Sequence, residues 1–245
     1  MTDATLPIDC HVLTMPYDRP EWSDALRADL EREGVTQHWL PGIPGQHAKA
    51  RAAGFRLGTH EYLTKADPDD RIAGGGVYKA LYDALEAHPF APFAWAGEMP
   101  VNDYLAPIGG TNISGRGYDP RHLIASPMHV HGVVLYRRAL VMRVLPKLEA
   151  MQGEEGLLSD WLLDLLLAAP QSNRPPDWQP IHVPIIGRFW RQHESQAHAL
   201  IKPEHYAATR KAAGVTYQPL TITRRQPPAK VPARRAPGGC PTCGT

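Results

Sequence analysis

What this sequence lacks already excludes several classes. It has no run of about 18 apolar residues, the length a membrane-crossing helix needs. Its N-terminus, MTDATLPIDC, has no basic stretch followed by an apolar one, so no secretory leader is expected. Cysteine is scarce and odd in number (Cys10, Cys240 and Cys243), which argues against a secreted disulfide framework and for a reducing, cytoplasmic setting, the host cytoplasm if the chain is viral. A net charge of +1 excludes a globally basic nucleic-acid binder. From Arg224 onward acidic residues are absent, while Arg224, Arg225, Lys230, Arg234 and Arg235 accumulate.

What is present reads as one globular domain. The 245 residues are 43% hydrophobic and 21% charged, enough for a single buried core. After about Thr223 the segment QPPAKVPARRAPGG is too rich in proline and charge to pack. We therefore expect a domain over 1–223 and an extended basic tail over 224–245.

Periodicity predicts alternating elements. Ile8–Met15 reads as a strand; a helix capped by Ser23 or Asp24 ends near Gly34; Val35–Leu40 is a strand and Gln46–Gly54 a helix. A short strand reaches Tyr62 and Leu63, and a helix over Ile72–Ala87 is weakened by Gly74, Gly75 and Gly76. Phe90–Ala96 and Val130–Tyr136 follow as strands, Ala139–Met151 and Leu157–Ala169 as helices, and Ile181–Trp190 as the last strand. This order predicts an α/β fold, a mostly parallel open sheet with helices on both faces, whose ligands sit at the carboxyl ends of strands. The irregular stretch 98–127 is long for a structureless loop and is expected to be a lid or an acceptor-binding insertion.

Directly after a predicted strand stands Asp67-Pro68-Asp69-Asp70. Three carboxylates in four residues repel one another unless a cation or solvent compensates them. A solvated turn explains them equally well when they are taken alone. Mg2+ or Mn2+ held by one or two carboxylates, with its shell completed by substrate phosphates, explains them at a strand end.

The segment AKARAAGFRLGTHEYLTKADPDDRI resembles the part of GT-A fold glycosyltransferases, especially the family 2-like group, that ends in their acidic metal motif. Lys49, Arg51, Gly54, Gly58, Glu61, Tyr62 and Leu63 stand where that pattern puts them. TMPYDRPEW is similar to the family's first-strand loop, which implies nucleotide contacts for Thr14, Tyr17 and Arg19. MHVHGVVLYRR is similar to its strand and Arg-containing turn beside the acceptor, which implies acceptor contacts for His131 and Arg137, with Trp161. LSDWLLDLLLA resembles the Glu-Asp-x-x-Leu helix start whose aspartate is the base of inverting members; here Ser159 replaces the first acid and Asp160 keeps the second. GRFWRQHESQAH resembles the late Arg-x-His segment, implicating Arg191 and His193.

The resemblance implies a metal-dependent, inverting transfer of a sugar from a UDP-linked donor. Asp69, Asp67 and His193 would hold Mn2+ or Mg2+. Thr14, Tyr17, Arg19, Lys49, Asp67, Asp70 and Arg191 would hold the nucleotide-sugar, and Asp160 would be the base. The residues themselves leave other readings open. Ser159 or Asp160 is an ordinary helix cap, Lys49 and Arg51 read as solvated helix charges, and Glu154 or Glu155 is an alternative base. His129 and His131 alternate on a predicted strand, a weak two-histidine metal pair.

The cationic tail would attract a polyanion, so DNA carrying a hydroxymethylated pyrimidine, the substrate of phage-type glycosyltransferases, is a candidate acceptor. Glycan, lipid and protein acceptors are alternatives. Cys240 and Cys243 form half of a zinc site at most. A non-catalytic nucleic-acid module and a metal-dependent hydrolase or nucleotidyltransferase are the competing classes.

Overall fold

The computed structural model describes residues 5–16, 18–111, 117–151, 153–169, 174–175, 177–194, 196 and 200–218. Tyr17, the side chains of Glu154 and Glu155, and the tail with Cys240 and Cys243 lie outside the described residues. No described helix is long and apolar enough to cross a membrane.

Chain order is β1 (Ile8–Thr14), α1 (Pro20–Arg32), β2 (Thr36–Pro41), α2 (His47–Phe55), β3 (Tyr62–Ala66), β4 (Arg71–Ile72), α3 (Val77–Ala87) and β5 (Phe93–Val101). There follow α4 (Pro120–Ala125), β6 (Val133–Arg137), α5 (Arg138–Glu149), α6 (Ser159–Ala168), β7 (Ile181–Arg191) and α7 (Pro203–Ala213). The strands lie in the order β2-β1-β3-β6-β5-β7-β4. Pairings β1–β2, β1–β3 and β5–β7 are parallel; β3–β6, β5–β6 and β4–β7 are antiparallel. Only β6 and β4 therefore oppose the other strands, and the expected mostly parallel sheet is the one formed.

Strand alternation sorts side chains into two cores. Phe93, Trp95, Val134 and Tyr136 face a cluster with Phe55, Leu148 and Leu162 from α2, α5 and α6. Ala94, Ala96, Val133 and Leu135 face the opposite cluster with Leu26, Leu30, Leu81 and Leu85 from α1 and α3. The sheet is thus the middle of three layers.

Several boundaries differ from expectation for local reasons. Helix α1 begins at Pro20, before Ser23 and Asp24, because proline at the first helical position presets φ and needs no N–H partner. Helix α3 begins only at Val77, since Gly74 and Gly76 take φ of 98° and 87°, outside helical space. The Glu33 carboxylate then accepts from the Tyr78 amide at 3.0 Å, so α1 caps α3. Strand β5 extends to Val101 along β7 through irregular register at Ala96, Gly97 and Glu98. The 98–127 stretch is accordingly part strand and part helix α4, not one loop. Helix α7 answers to no expected element, and β6 starts at Val133, past both His129 and His131.

Candidate active site

Strand β3 ends at Ala66, and the chain turns through Asp67 to Asp70, closed by the Asp70 amide donating to the Asp67 carbonyl at 3.0 Å. Asp70 points inward and is buried. Its carboxylate accepts from Arg188 Nη1 at 2.7 Å and from the Arg191 amide at 3.3 Å. Burial pushes the Asp70 carboxyl up and the Arg188 guanidinium opposes this. Both Asp70 oxygens fasten the acidic turn to β7, so a donor contact would have to share an oxygen that Arg188 or the Arg191 amide already uses.

Asp67 and Asp69 are half-buried and line a cleft of about 370 Å³ at the carboxyl ends of β1 and β3. On one wall Arg51 Nη2 donates to Asp67 at 2.8 Å. Arg51 is 1% exposed, so the reading of it as a solvated helix charge is wrong. Its Nε lies 3.3 Å from Asp160, too oblique for a hydrogen bond, and Lys65 Nζ lies 2.5 Å from the other Asp160 oxygen. Burial raises both carboxyls, but Arg51 and Lys65 outweigh it and hold Asp67 and Asp160 well below the usual range. His47 and His11 pack beside this group. Burial, reinforced by Arg51, pulls His47 down to about 4 and His11 well below its ordinary value. Ser159 and Asp160 open α6 without a side-chain cap bond at its start, so the simple capping reading has no support there.

On the opposite wall His193 Nε2 and Asp69 Oδ2 are 2.9 Å apart. Arg191 Nε donates to the Asp69 carbonyl at 2.8 Å, and its Nη1 bonds to the Asp103 carbonyl. Trp22 carries both Arg19 and Arg191 over its ring, at 4.3 and 4.5 Å, and the His193 ring stands 5.0 Å away. Arg19 also pairs with Asp103 at 3.2 Å. This stack holds His193 and the Arg191 backbone against the acidic turn. No group of three or more His, Cys, Asp or Glu that could hold a metal occurs among the described residues. The donor set still fits a divalent ion of modest protein ligation: one or two carboxylates and an imidazole, with phosphate oxygens completing the shell.

A third layer lies beneath. Glu98 on β5 stands opposite Arg188 on β7 in register, and Arg188 Nε donates to its Oε2 at 2.9 Å. The other Glu98 oxygen meets His131 Nδ1 at 2.5 Å. Burial raises Glu98, yet Arg188 and His131 bring it to about 2. The loop carrying His131 can approach because Gly132 has φ 113°; a Cβ there would lie 2.3 Å from the Ala96 carbonyl oxygen.

Of the residues expected at the site, Asp67, Asp69, Asp70, Asp160, His131, Trp161 and His193 line the cleft. Trp161 is buried and donates to the Leu123 carbonyl at 2.7 Å, so it offers a ring face and no free N–H. Thr14, Arg19 and Arg191 stand beside the cleft without lining it. Lys49 is exposed on the far side of α2 from Arg51. Arg137 donates to the carbonyls of Ala91 and Leu85 and to the Tyr62 hydroxyl, closing the sheet away from the cleft. His129 accepts from the Asp119 amide and does not share a strand face with His131. Lys65, Arg188 and His47 also line the cleft, and Glu98 lies beneath it, none of them among the residues the sequence picks out. The available signal was a charge inside an apolar strand: Lys65 in YLTKA, Glu98 in FAWAGEMPV and Arg188 in IIGRFW.

No protein-family model matches the chain, and no curated protein sequence matches it. Solved structures do. TarS of S. aureus, residues 1–349, matches with a TM-score of 0.56 at 13% identity, over 85% of this chain and 64% of that one. The same protein with UDP-GlcNAc matches at 0.56 and 12%, over 85% and 65%, and with UDP at 0.54 and 11%, over 85% and 64%. This chain thus spans less than two thirds of the length of the structures it matches. At this identity the likeness concerns architecture: the chain has a GT-A-like fold, shared with TarS.

Proposed function

We propose that this protein transfers a sugar from a UDP-linked donor to an acceptor hydroxyl, with inversion and with a divalent metal. The observation that carries the proposal is the cleft at the strand ends, where Asp67, Asp69 and His193 share one cavity with Asp160. Two of the similar structures hold UDP-GlcNAc or UDP, which supports a uridine nucleotide as the donor's leaving group. Asp69 and His193 would hold Mn2+ or Mg2+, joined by Asp67 only if it turns from Arg51 across the cleft, and the ion when bound neutralises charge on the departing diphosphate. Asp160 would receive the acceptor proton. For that, the incoming substrate must draw Lys65 away from it, because a carboxylate paired with two cations is a weak base.

The test is incubation with Mn2+ and a panel of nucleotide-sugars, following released diphosphate and sugar-labelled product. Glycans, lipids, proteins and hydroxymethylated DNA serve as acceptors, the last because of the five cations over 224–245. Asp69→Ala is expected to lower transfer at least about 100-fold with the circular dichroism unchanged. Full activity of that variant would sink the metal assignment. Diphosphate release with the sugar never joined to an acceptor would favour a hydrolase.

A further inference from the structure

The Glu98–His131 pair has a chemical polarity that the resemblance does not supply. Glu98 is fully buried and ionised, held at about 2 by Arg188 and His131, and a carboxylate only accepts hydrogen bonds. The proton of the 2.5 Å contact therefore sits on His131 Nδ1. Arg188 Nη2, 3.3 Å from that same nitrogen, cannot then donate to it, and the approach is a close electrostatic contact only. With Nδ1 protonated in the neutral ring, Nε2 carries a lone pair. His131 lines the cleft, its side chain is 25% exposed, and its hydrogen-bond contacts to described residues are made at Nδ1, not Nε2. The edge of Trp190, with ring centroids 5.0 Å apart, fixes the plane of the imidazole.

Resting on the transfer reading, we propose that His131 accepts a hydrogen bond at Nε2 from a substrate hydroxyl, with Glu98 and Arg188 as positioning residues that set its tautomer. The chain Asp70–Arg188–Glu98–His131 makes the acidic turn and this acceptor one rigid unit, at 2.7, 2.9 and 2.5 Å. A hydroxyl-bearing ring fits it; an ammonium or amide N–H would bind equally well at a bare lone pair, but nothing in the proposed transfer brings one there.

The tautomer is tested without turnover, by 15N NMR of the histidine ring nitrogens at neutral pH. The wild-type protein should show His131 protonated at Nδ1. In Glu98→Gln, Arg188 keeps the amide oxygen, the amide NH2 faces Nδ1, and the proton should move to Nε2. A wild-type ring protonated at Nε2, or one unmoved in Glu98→Gln, overturns the assignment. In the transfer assay His131→Phe should lose roughly tenfold to hundredfold, with UDP binding within about twofold of wild type, and His131→Gln should recover part of the loss. If donor hydrolysis falls along with transfer, the hydroxyl belongs to the donor sugar; if transfer alone falls, it belongs to the acceptor. Wild-type transfer by His131→Phe, or equal loss of UDP binding, overturns the role. If the wild-type protein binds no nucleoside diphosphate, the transfer reading fails and the hydroxyl role fails with it, while the NMR result still judges the Glu98 tautomer.

Discussion

Two ion clusters on this sheet use the same residue types to opposite ends. Near the start of β1, Asp9 accepts from Arg138 at 2.6 Å and from the His60 amide at 2.8 Å, and meets His38 at 2.7 Å. The space beside it has no room for water. That cluster staples β1, β2 and the start of α5. At the carboxyl ends of the strands, Arg51, Lys65, Asp67 and Asp160 border a cleft, and Arg51 Nε and Nη1 and one Asp160 oxygen have no hydrogen-bond partner among the described residues. Charge density does not separate a binding site from a staple. Unsatisfied polar atoms beside open space do.

The largest expected difference follows from breaking each cluster once. Arg51→Met removes the cation shared by Asp67 and Asp160 from a fully buried position and should cost about 3–5 kcal/mol of stability. It should also weaken nucleotide binding. Asp9→Asn keeps shape and most hydrogen bonding, so it should cost about 1–3 kcal/mol and leave nucleotide binding unchanged. Urea midpoints and UDP titration check both. Loss of UDP binding in the Asp9 variant would erase the distinction drawn above.

Acid separates the clusters next. His11 and His47 are held neutral by burial and by Arg51, His47 with its pKa near 4. The unfolded chain takes up their protons near 6.5 while the native state does not, so stability should fall as the pH drops from about 6.5 toward 4. Asp9 is different. Burial raises it, but His38, His60 and Arg138 bring it below 3.8. Its contribution is complete above 3.8 and is lost only as the pH falls through its lower native value. His47→Gln should therefore flatten the decline of melting temperature between pH 6.5 and 4.5. An unchanged slope would show that His47 is not the buried neutral group described.

How far the sequence reveals this depends on which interactions are local. Strands β1, β2, β3, β5, β6 and β7, the two-face helical layering and the acidic turn are legible, because hydrophobic period and turn residues are local signals; the two-residue strand β4 is not, and Ile72 reads instead as the start of a helix. That Asp69 and His193 meet follows only from the resemblance, since 124 residues separate the two partners. Glu98 and Arg188 were not legible. Their meeting depends on the β5–β7 register and on irregularities at Ala96 to Glu98, which no short-range pattern encodes. Arg51 stands among alanines on α2 and reads as solvated until the helix face is known, while Lys65 is a charge in the short strand YLTKA whose partner Asp160 lies far along the chain.

The smallest prediction tests that last point. Lys49 and Arg51 are two positions apart, about 200° around α2, so when Arg51 faces the cleft Lys49 must face water. The resemblance assigned Lys49 to the nucleotide. Its exposed position instead predicts that Lys49→Ala shifts stability by no more than about 0.5 kcal/mol and leaves the KM for a UDP-sugar unchanged. Steady-state kinetics on the variant checks this. A rise of tenfold in KM would mean that α2 rotates when the donor binds, and Arg51 would then leave Asp67 and Asp160 at the moment the transfer needs them.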